Sequence, residues 1–189
     1  MGFVQELKRK SIHLLSILIP VLYHLIPSEL VSGVLLVTVT LICFWGDLVK
    51  LRTRYWRRVY MGLFGRFLRR HEVGEFTGAT YVMLAATGTF LCFDKSVAIA
   101  ALSFLVLGDT AAALFGKTYG RLRYLGKSVE GSLACFLVCV LAAMVVPGLP
   151  IEVGLAGAAA ATIAELMPIP IDDNFRIPVA SGAIMQLMV

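Results

Sequence analysis

Seven apolar stretches, at approximately 11–27, 30–49, 76–93, 97–116, 130–146, 151–167 and 174–189, take up most of the 189 residues. Hydrophobic residues make up 59% of the chain and charged residues 15%, where a soluble domain carries about half and about a quarter. Too few polar side chains remain to cover a globule, so the surplus apolar surface must face lipid. A spanning helix needs roughly 20 apolar residues, with about 17 the lower limit; several stretches sit at that limit. The chain is expected to be all-α: a polytopic membrane helical bundle of about seven transmembrane helices, in a single domain over 1–189. The sixth stretch, with its run from Ala158 to Ala161, is weakly apolar and is expected to pack inside the bundle, where small residues allow close helix approach.

The loops set the orientation. The N-terminus mimics a signal peptide, with Lys8, Arg9 and Lys10 before an apolar run from Ile12. It shows no small-residue cleavage site, and Pro20 and Pro27 interrupt the run, so it reads as a retained first span. With the N-terminus in the cytoplasm, segments 1–10, 50–75, 117–129 and 168–173 fall inside, and of 17 Lys and Arg residues only Lys95 falls outside. The formal net charge of +5 is thus matched to the anionic inner face of a membrane, and no nucleic-acid partner is expected. Within 51–70, Trp56, Tyr60, Phe64, Phe67 and Leu68 recur at helical spacing while arginines fill the other face, which reads as an amphipathic helix in the headgroup layer. The cysteines, Cys43, Cys92, Cys135 and Cys139, form no Cys-x-x-Cys pair and read as small core residues.

Polar residues at membrane depth are costly and need a reason. Four stretches place them at the cytoplasmic boundary. In the first, Arg9 and His13 share a helix face beside Lys10, a set that can meet a phosphate or simply anchor the chain. In the second, Asp109 lies within an apolar span ahead of Lys117 and Arg121; a buried carboxylate must pair with a cation such as arginine, take up a proton or bind a metal. In the third, Gly126-Lys127-Ser128-Val129-Glu130-Gly131-Ser132 contains Gly-Lys-Ser, but Arg121 stands where a P-loop needs glycine, so that motif is rejected. What remains is a lysine with hydroxyls at a helix start, suited to phosphate, with Ser128 also able to cap the helix. In the fourth, Glu165 ends a span, Pro168 and Pro170 break the helix, and Asp173 and Asn174 open the next span, an arrangement that suits an ion site or a polar turn.

These stretches resemble the dolichol kinase and phytol kinase family of CTP-dependent polyprenol and diacylglycerol kinases. The resemblance rests on Arg9-Lys10-x-x-His13, Glu72, Thr77-Gly78-Ala79-Thr80-Tyr81, Gly108-Asp109-x-x-Ala112, Gly116-x-x-x-Gly120, Lys127-Ser128-x-Glu130-Gly131-Ser132, and Glu165, Pro168, Asp173-Asn174 and Pro178. Between Glu165 and Asp173 the chain departs from the family, with Pro-Ile-Pro-Ile-Asp where relatives usually carry proline, a basic residue and glycine. The resemblance implies transfer of the γ-phosphate of CTP to a polyprenol-, isoprenoid- or diacylglycerol-type hydroxyl, with Mg²⁺ or Mn²⁺. It assigns Asp109, Glu165, Asp173 and Asn174 to metal or base duty, with Asp109 leading and His13 second as base, and Glu130 joining the catalytic group. Arg9, Lys10, Lys117, Arg121, Lys127, Ser128, Gly131 and Ser132 are assigned to the nucleotide. The expected partners are CTP, a lipid alcohol and membrane lipids, and a homodimer stays open. Two other classes compete: a CTP-dependent phospholipid cytidylyltransferase, and a small transporter, which the short and nearly uncharged outer loops disfavour.

Overall fold

In the computed structural model, residues 10–11, 13–65, 68 and 71–189 are described. Every apolar stretch becomes helix. Helical residues from His13 lead into α1 (Leu18–Leu25). Pro20 has no N–H for the Ser16 carbonyl, and Ile19 N donates to that carbonyl instead, at 3.0 Å. Ser28 caps α2 (Glu29–Arg52) by accepting from Val31 N, and α3 (Arg54–Phe64) follows after the extended Thr53. A short 3₁₀ turn at His71–Val73 precedes α4 (Gly78–Cys92).

The centre of the molecule is one continuous rod, Lys95–Tyr119, built from α5 (Lys95–Ser103), a π-helical turn (Phe104–Gly108) and α6 (Asp109–Tyr119). Its first half is buried on all sides, because alanines such as Ala98, Ala100 and Ala101 let neighbouring helices close on it. Around the rod stand α1, α4, α7 (Val129–Val145), α8 (Ile151–Leu166) and α9 (Asp173–Gln186). The innermost helix is therefore the fourth stretch. The sixth, α8, buries Gly157, Ala158 and Ala161 but leaves Leu155 and Ile163 exposed. A Cβ at Gly157 would come within 2.4 Å of Met185 Sδ, so α8 and α9 meet closely over a residue whose side chain would have to displace Met185. Cys135 and Cys139 share a buried face against Gly108, whereas Cys92 is exposed and is no core residue.

The outer faces carry Leu30, Val34, Leu41 and Ile42 on α2 and Leu133, Leu137 and Leu141 on α7, all exposed. Two helices, Glu29–Arg52 and Lys95–Tyr119, are long and apolar enough to cross a membrane by length and composition; His13–Leu25, Gly78–Cys92 and Val129–Val145 are shorter apolar helices. The fold is all-α apart from a two-stranded ribbon, β1 (Arg123–Tyr124) and β2 (Lys127–Ser128), paired antiparallel. Its turn residues, Leu125 at φ 50° and Gly126 at φ 84°, both lie in the left-handed region, as a type I′ hairpin turn requires. The amphipathic helix expected over 51–70 forms as α3; residues 66, 67, 69 and 70 lie outside the described residues.

Candidate active site

A cleft of about 310 Å³ opens between the C-terminal half of the rod, the β1–β2 ribbon and the starts of α7 and α9. It gathers residues far apart in sequence. Lys10, Lys117, Arg123 and Lys127 supply positive charge; Asp109, Glu165 and Asp173 supply carboxylates; Ser128, Gly131 and Ser132 line one wall.

Asp109 is the first residue after the π-helical turn. Lys10, almost wholly buried, donates to its carboxylate and, at 3.1 Å, to its main-chain carbonyl. His13 Nε2 lies 3.5 Å from the same carboxylate and 3.5 Å from the Leu105 carbonyl. The cation beside Asp109 is thus a lysine from the N-terminal segment, where arginine was the sequence expectation. A buried lysine needs such a partner, since an unpaired ammonium in this setting costs several kcal/mol or more.

Where α6 meets α7, glycines bring the backbones together. A Cβ at Gly131 would stand 2.7 Å from the Ala112 carbonyl, and one at Gly116 2.6 Å from Ser128 Oγ. Ser128 caps α7, its Oγ accepting from Gly131 N at 3.1 Å, and Ser132 Oγ donates to the Ser128 carbonyl at 3.3 Å. The hairpin turn delivers Lys127 across the cleft. Its ammonium meets Glu165 Oε1 at 2.8 Å and Asp173 Oδ2 at 3.3 Å, and donates to the Glu165 carbonyl. The second oxygen, Glu165 Oε2, is buried with no hydrogen-bond partner among the described residues.

Arg176, on α9, holds this end together. One guanidinium N–H donates to the Ile169 carbonyl at 3.1 Å, and Nη2 pairs with Asp173. The signal available was a charged residue three positions after Asp173 inside an apolar helix, the spacing that stacks side chains on one face. Arg123, also missed, faces the cleft from β1.

Other expected residues lie elsewhere. Glu130 turns from the cleft: its Oε1 accepts from Arg121 N at 3.0 Å and Leu122 N at 3.1 Å, fastening the entry to the ribbon. Arg121 enters that contact through its backbone and does not line the cleft. Asn174 is buried one step round α9 from Asp173, its Nδ2 3.0 Å from where a Gly78 Cβ would stand. Asp109, Glu165, Asp173 and Asn174 thus do not form one cluster; among the described residues no group of three His, Cys, Asp or Glu is placed to hold a metal. Arg9 lies outside the described residues.

A second polar knot adjoins Asn174; it joins Glu72, Thr77, Gly78 and Thr80, which carry part of the resemblance, to Asp47 and Lys50, which went unread in the sequence. Asp47 Oδ2, near the C-terminal end of α2, accepts from Thr77 N (2.7 Å), Thr77 Oγ1 (2.9 Å) and Thr80 Oγ1 (2.7 Å). Lys50 lies 2.9 Å from Asp47 Oδ1 and donates to the carbonyls of Glu72 (2.8 Å) and Glu75 (2.7 Å). Glu72 Oε1 accepts from Gly78 N at 3.3 Å. Tyr60 packs beneath the Lys50 ammonium, and burial, with the Asp47 charge adding to it, pushes the tyrosine pKa up.

The cleft thus gathers four cations and three carboxylates, with Lys10 paired to Asp109 and Lys127 to Glu165 and Asp173. The chain is 29% identical over 177 residues to CTP-dependent diacylglycerol kinase 1 of Saccharomyces cerevisiae, an overlap of 79% of this chain and 61% of the relative. It is 29% identical over 171 residues to the protein of the same name from Eremothecium gossypii, covering 76% of this chain and 54% of that one. It is also 28% identical over 144 residues to an uncharacterized protein of Rickettsia prowazekii, covering 75% of this chain and 70% of that one. The chain spans rather more than half the length of the two fungal relatives. No family model matches it, and no solved structure matches it.

Proposed function

We propose that the chain is a membrane-embedded, CTP-dependent lipid kinase that transfers the γ-phosphate of CTP to a lipid hydroxyl, with a diacylglycerol-type alcohol first among acceptors and polyprenol or other isoprenoid alcohols behind it. The observation that carries this is the convergence of Lys10, Lys117, Arg123 and Lys127 with Asp109, Glu165 and Asp173 on one cleft. The names of the two fungal relatives support the donor and the lipid class.

In this reading the lysines and Arg123 take the phosphates, Lys127 as a point charge from the helix start. Asp109 accepts the hydroxyl proton while the alcohol oxygen bonds to the γ-phosphorus and the bond to the β–γ bridging oxygen breaks. His13 beside it is the second candidate. Lipid phosphate and CDP leave. Most of the catalysis is positioning and charge compensation. Glu165 and Asp173 fit Mg²⁺, which takes one or two carboxylates and completes its shell with water and phosphate oxygens, and the unpartnered Glu165 Oε2 is available for it. Bound there, the ion would offset charge on the transferred phosphate.

The membrane reading places about seven crossings in one domain over 1–189, with the cleft on the cytoplasmic side. It is supported by the position of Lys95, at the far end of the rod from Lys117 and the cleft. The test is purified protein with γ-labelled CTP and a panel of lipid alcohols. Labelled lipid phosphate with CDP is expected; pyrophosphate with a CDP-lipid would make it a cytidylyltransferase instead.

A further inference from the structure

Away from the cleft, α2 and α3 enclose a groove of about 440 Å³ whose walls are almost entirely apolar. Trp45 and Val49 form one side. Trp56, Val59, Tyr60 and Leu63, spaced as one stripe of α3, form the other. The stem of Lys50 lines the groove too, but its ammonium is held by Asp47 and by the carbonyls of Glu72 and Glu75. The groove therefore offers hydrocarbon to whatever enters it.

The remaining face of α3 carries Arg54, Arg57 and Arg58. None of them forms an ion pair with a described residue. Arg57 donates to the Leu51 carbonyl at 3.4 Å, while its Nε is buried with no hydrogen-bond partner. Three arginines with no ion pair among the described residues, on the same helix as an apolar slot lined by two tryptophans, suit an amphiphile with an anionic head. Tryptophan rings settle at the headgroup level, which sets the depth. A free phosphate would have no use for the slot, and a neutral lipid none for the arginines.

We propose that this groove is a binding site for an anionic phospholipid, one acyl chain lying between α2 and α3 and the phosphate held by Arg54, Arg57 and Arg58. The site rests on the membrane placement above and is independent of the phosphotransfer reading. Phosphatidylglycerol, a phosphodiester that is neither the proposed acceptor nor its product, separates the two.

The chain has two tryptophans, Trp45 and Trp56, and both line the groove, so its intrinsic fluorescence reports on this site. Full-length protein is reconstituted in phosphatidylcholine vesicles with a small, equal fraction of either phosphatidylglycerol or phosphatidylcholine brominated on its acyl chains. Quenching by the brominated phosphatidylglycerol is expected to exceed the other at least about threefold, since each arginine near the surface adds to the attraction. Arg54→Gln, Arg57→Gln and Arg58→Gln together should reduce it to the phosphatidylcholine level. Gly46→Leu puts a side chain into the groove from a position where a Cβ meets nothing within 4 Å, and it should abolish the excess with the arginines intact. Equal quenching by both lipids in the unaltered protein would overturn the site, and that comparison depends on no variant folding. An excess that survives Gly46→Leu would also overturn it, leaving only general enrichment of anionic lipid around a basic chain.

Discussion

Lys127 is the residue on which the cleft turns. It touches Glu165 and Asp173, which come from two different helices. Replacing it with alanine removes the cation that a nucleotide phosphate would meet and leaves the two carboxylates facing each other. A raised KM for CTP is expected, greater than that of Lys117→Ala, whose exposed side chain has Arg123 nearby to compensate. Asp173→Asn keeps the size and most hydrogen bonding. Turnover should fall by a factor on the order of 100, comparable to losing one preorganised electrostatic contact, with Arg176 still able to hold the Ile169 carbonyl and the protein still purifying normally. Steady-state kinetics with CTP and the best lipid alcohol check both variants; near-normal constants in both would remove these residues from the mechanism. Chelator should abolish activity and added Mg²⁺ or Mn²⁺ restore it; full activity in excess chelator would leave Glu165 and Asp173 with no ion to hold.

At the scale of elements, the apolar stretches were legible as helices because length and hydropathy act locally. The cleft was legible in part: Asp109, Lys127, Glu165 and Asp173 stood out because charge inside apolar sequence is conspicuous. The Asp47–Lys50 knot was not, because a charged pair at the end of a span looks like an ordinary membrane boundary, and its partners Thr77 and Thr80 lie some thirty residues away. The β1–β2 ribbon escaped because Leu125 at φ 50° carries none of the Asn-Gly or Asp-Gly chemistry that marks such turns. Glu130 looked catalytic by its motif, while its geometry makes it a clasp for the backbone at 121 and 122. The knot has a measurable weight. Asp47→Ala would strip three hydrogen-bond donors of their acceptor and leave the Lys50 ammonium buried without its carboxylate. A loss of about 3–5 kcal/mol is expected, read as a marked drop in melting temperature in detergent; an unchanged melt would mean that the knot holds nothing.

For the whole molecule, the division of charge between its two ends is the controlling property. In the proposed membrane map, sixteen of 17 basic residues fall on one side of the bilayer, and the cleft would open on that side. Arg123→Cys in a background free of native cysteines should react with an impermeant thiol reagent only from the cytoplasmic face. Labelling only from outside would invert the map and move the cleft away from cytosolic CTP. Several helices are short for a crossing: α9, with 14 residues, rises about 21 Å against a hydrocarbon core of about 30 Å. Their ends are polar where the cleft forms, so on the proposed membrane placement water and the proposed nucleotide would enter below the headgroup plane without exposing unsatisfied backbone to lipid.

The π-helical turn at Phe104–Gly108 bears on how chains of this kind are compared. A π turn holds one residue more than an α-helix uses to join the same two end faces. The rod therefore contains one surplus position, and both the buried alanines before it and Asp109 after it would keep their directions if that position were lost. When related chains are aligned, a single-residue gap between 103 and 109 should be tolerated, whereas a gap between the alanines and that turn would rotate Asp109 by about 100° relative to the alanine face. For a related chain that lacks the π turn, an alignment forced through this stretch without such a gap would set the wrong residue opposite Lys10.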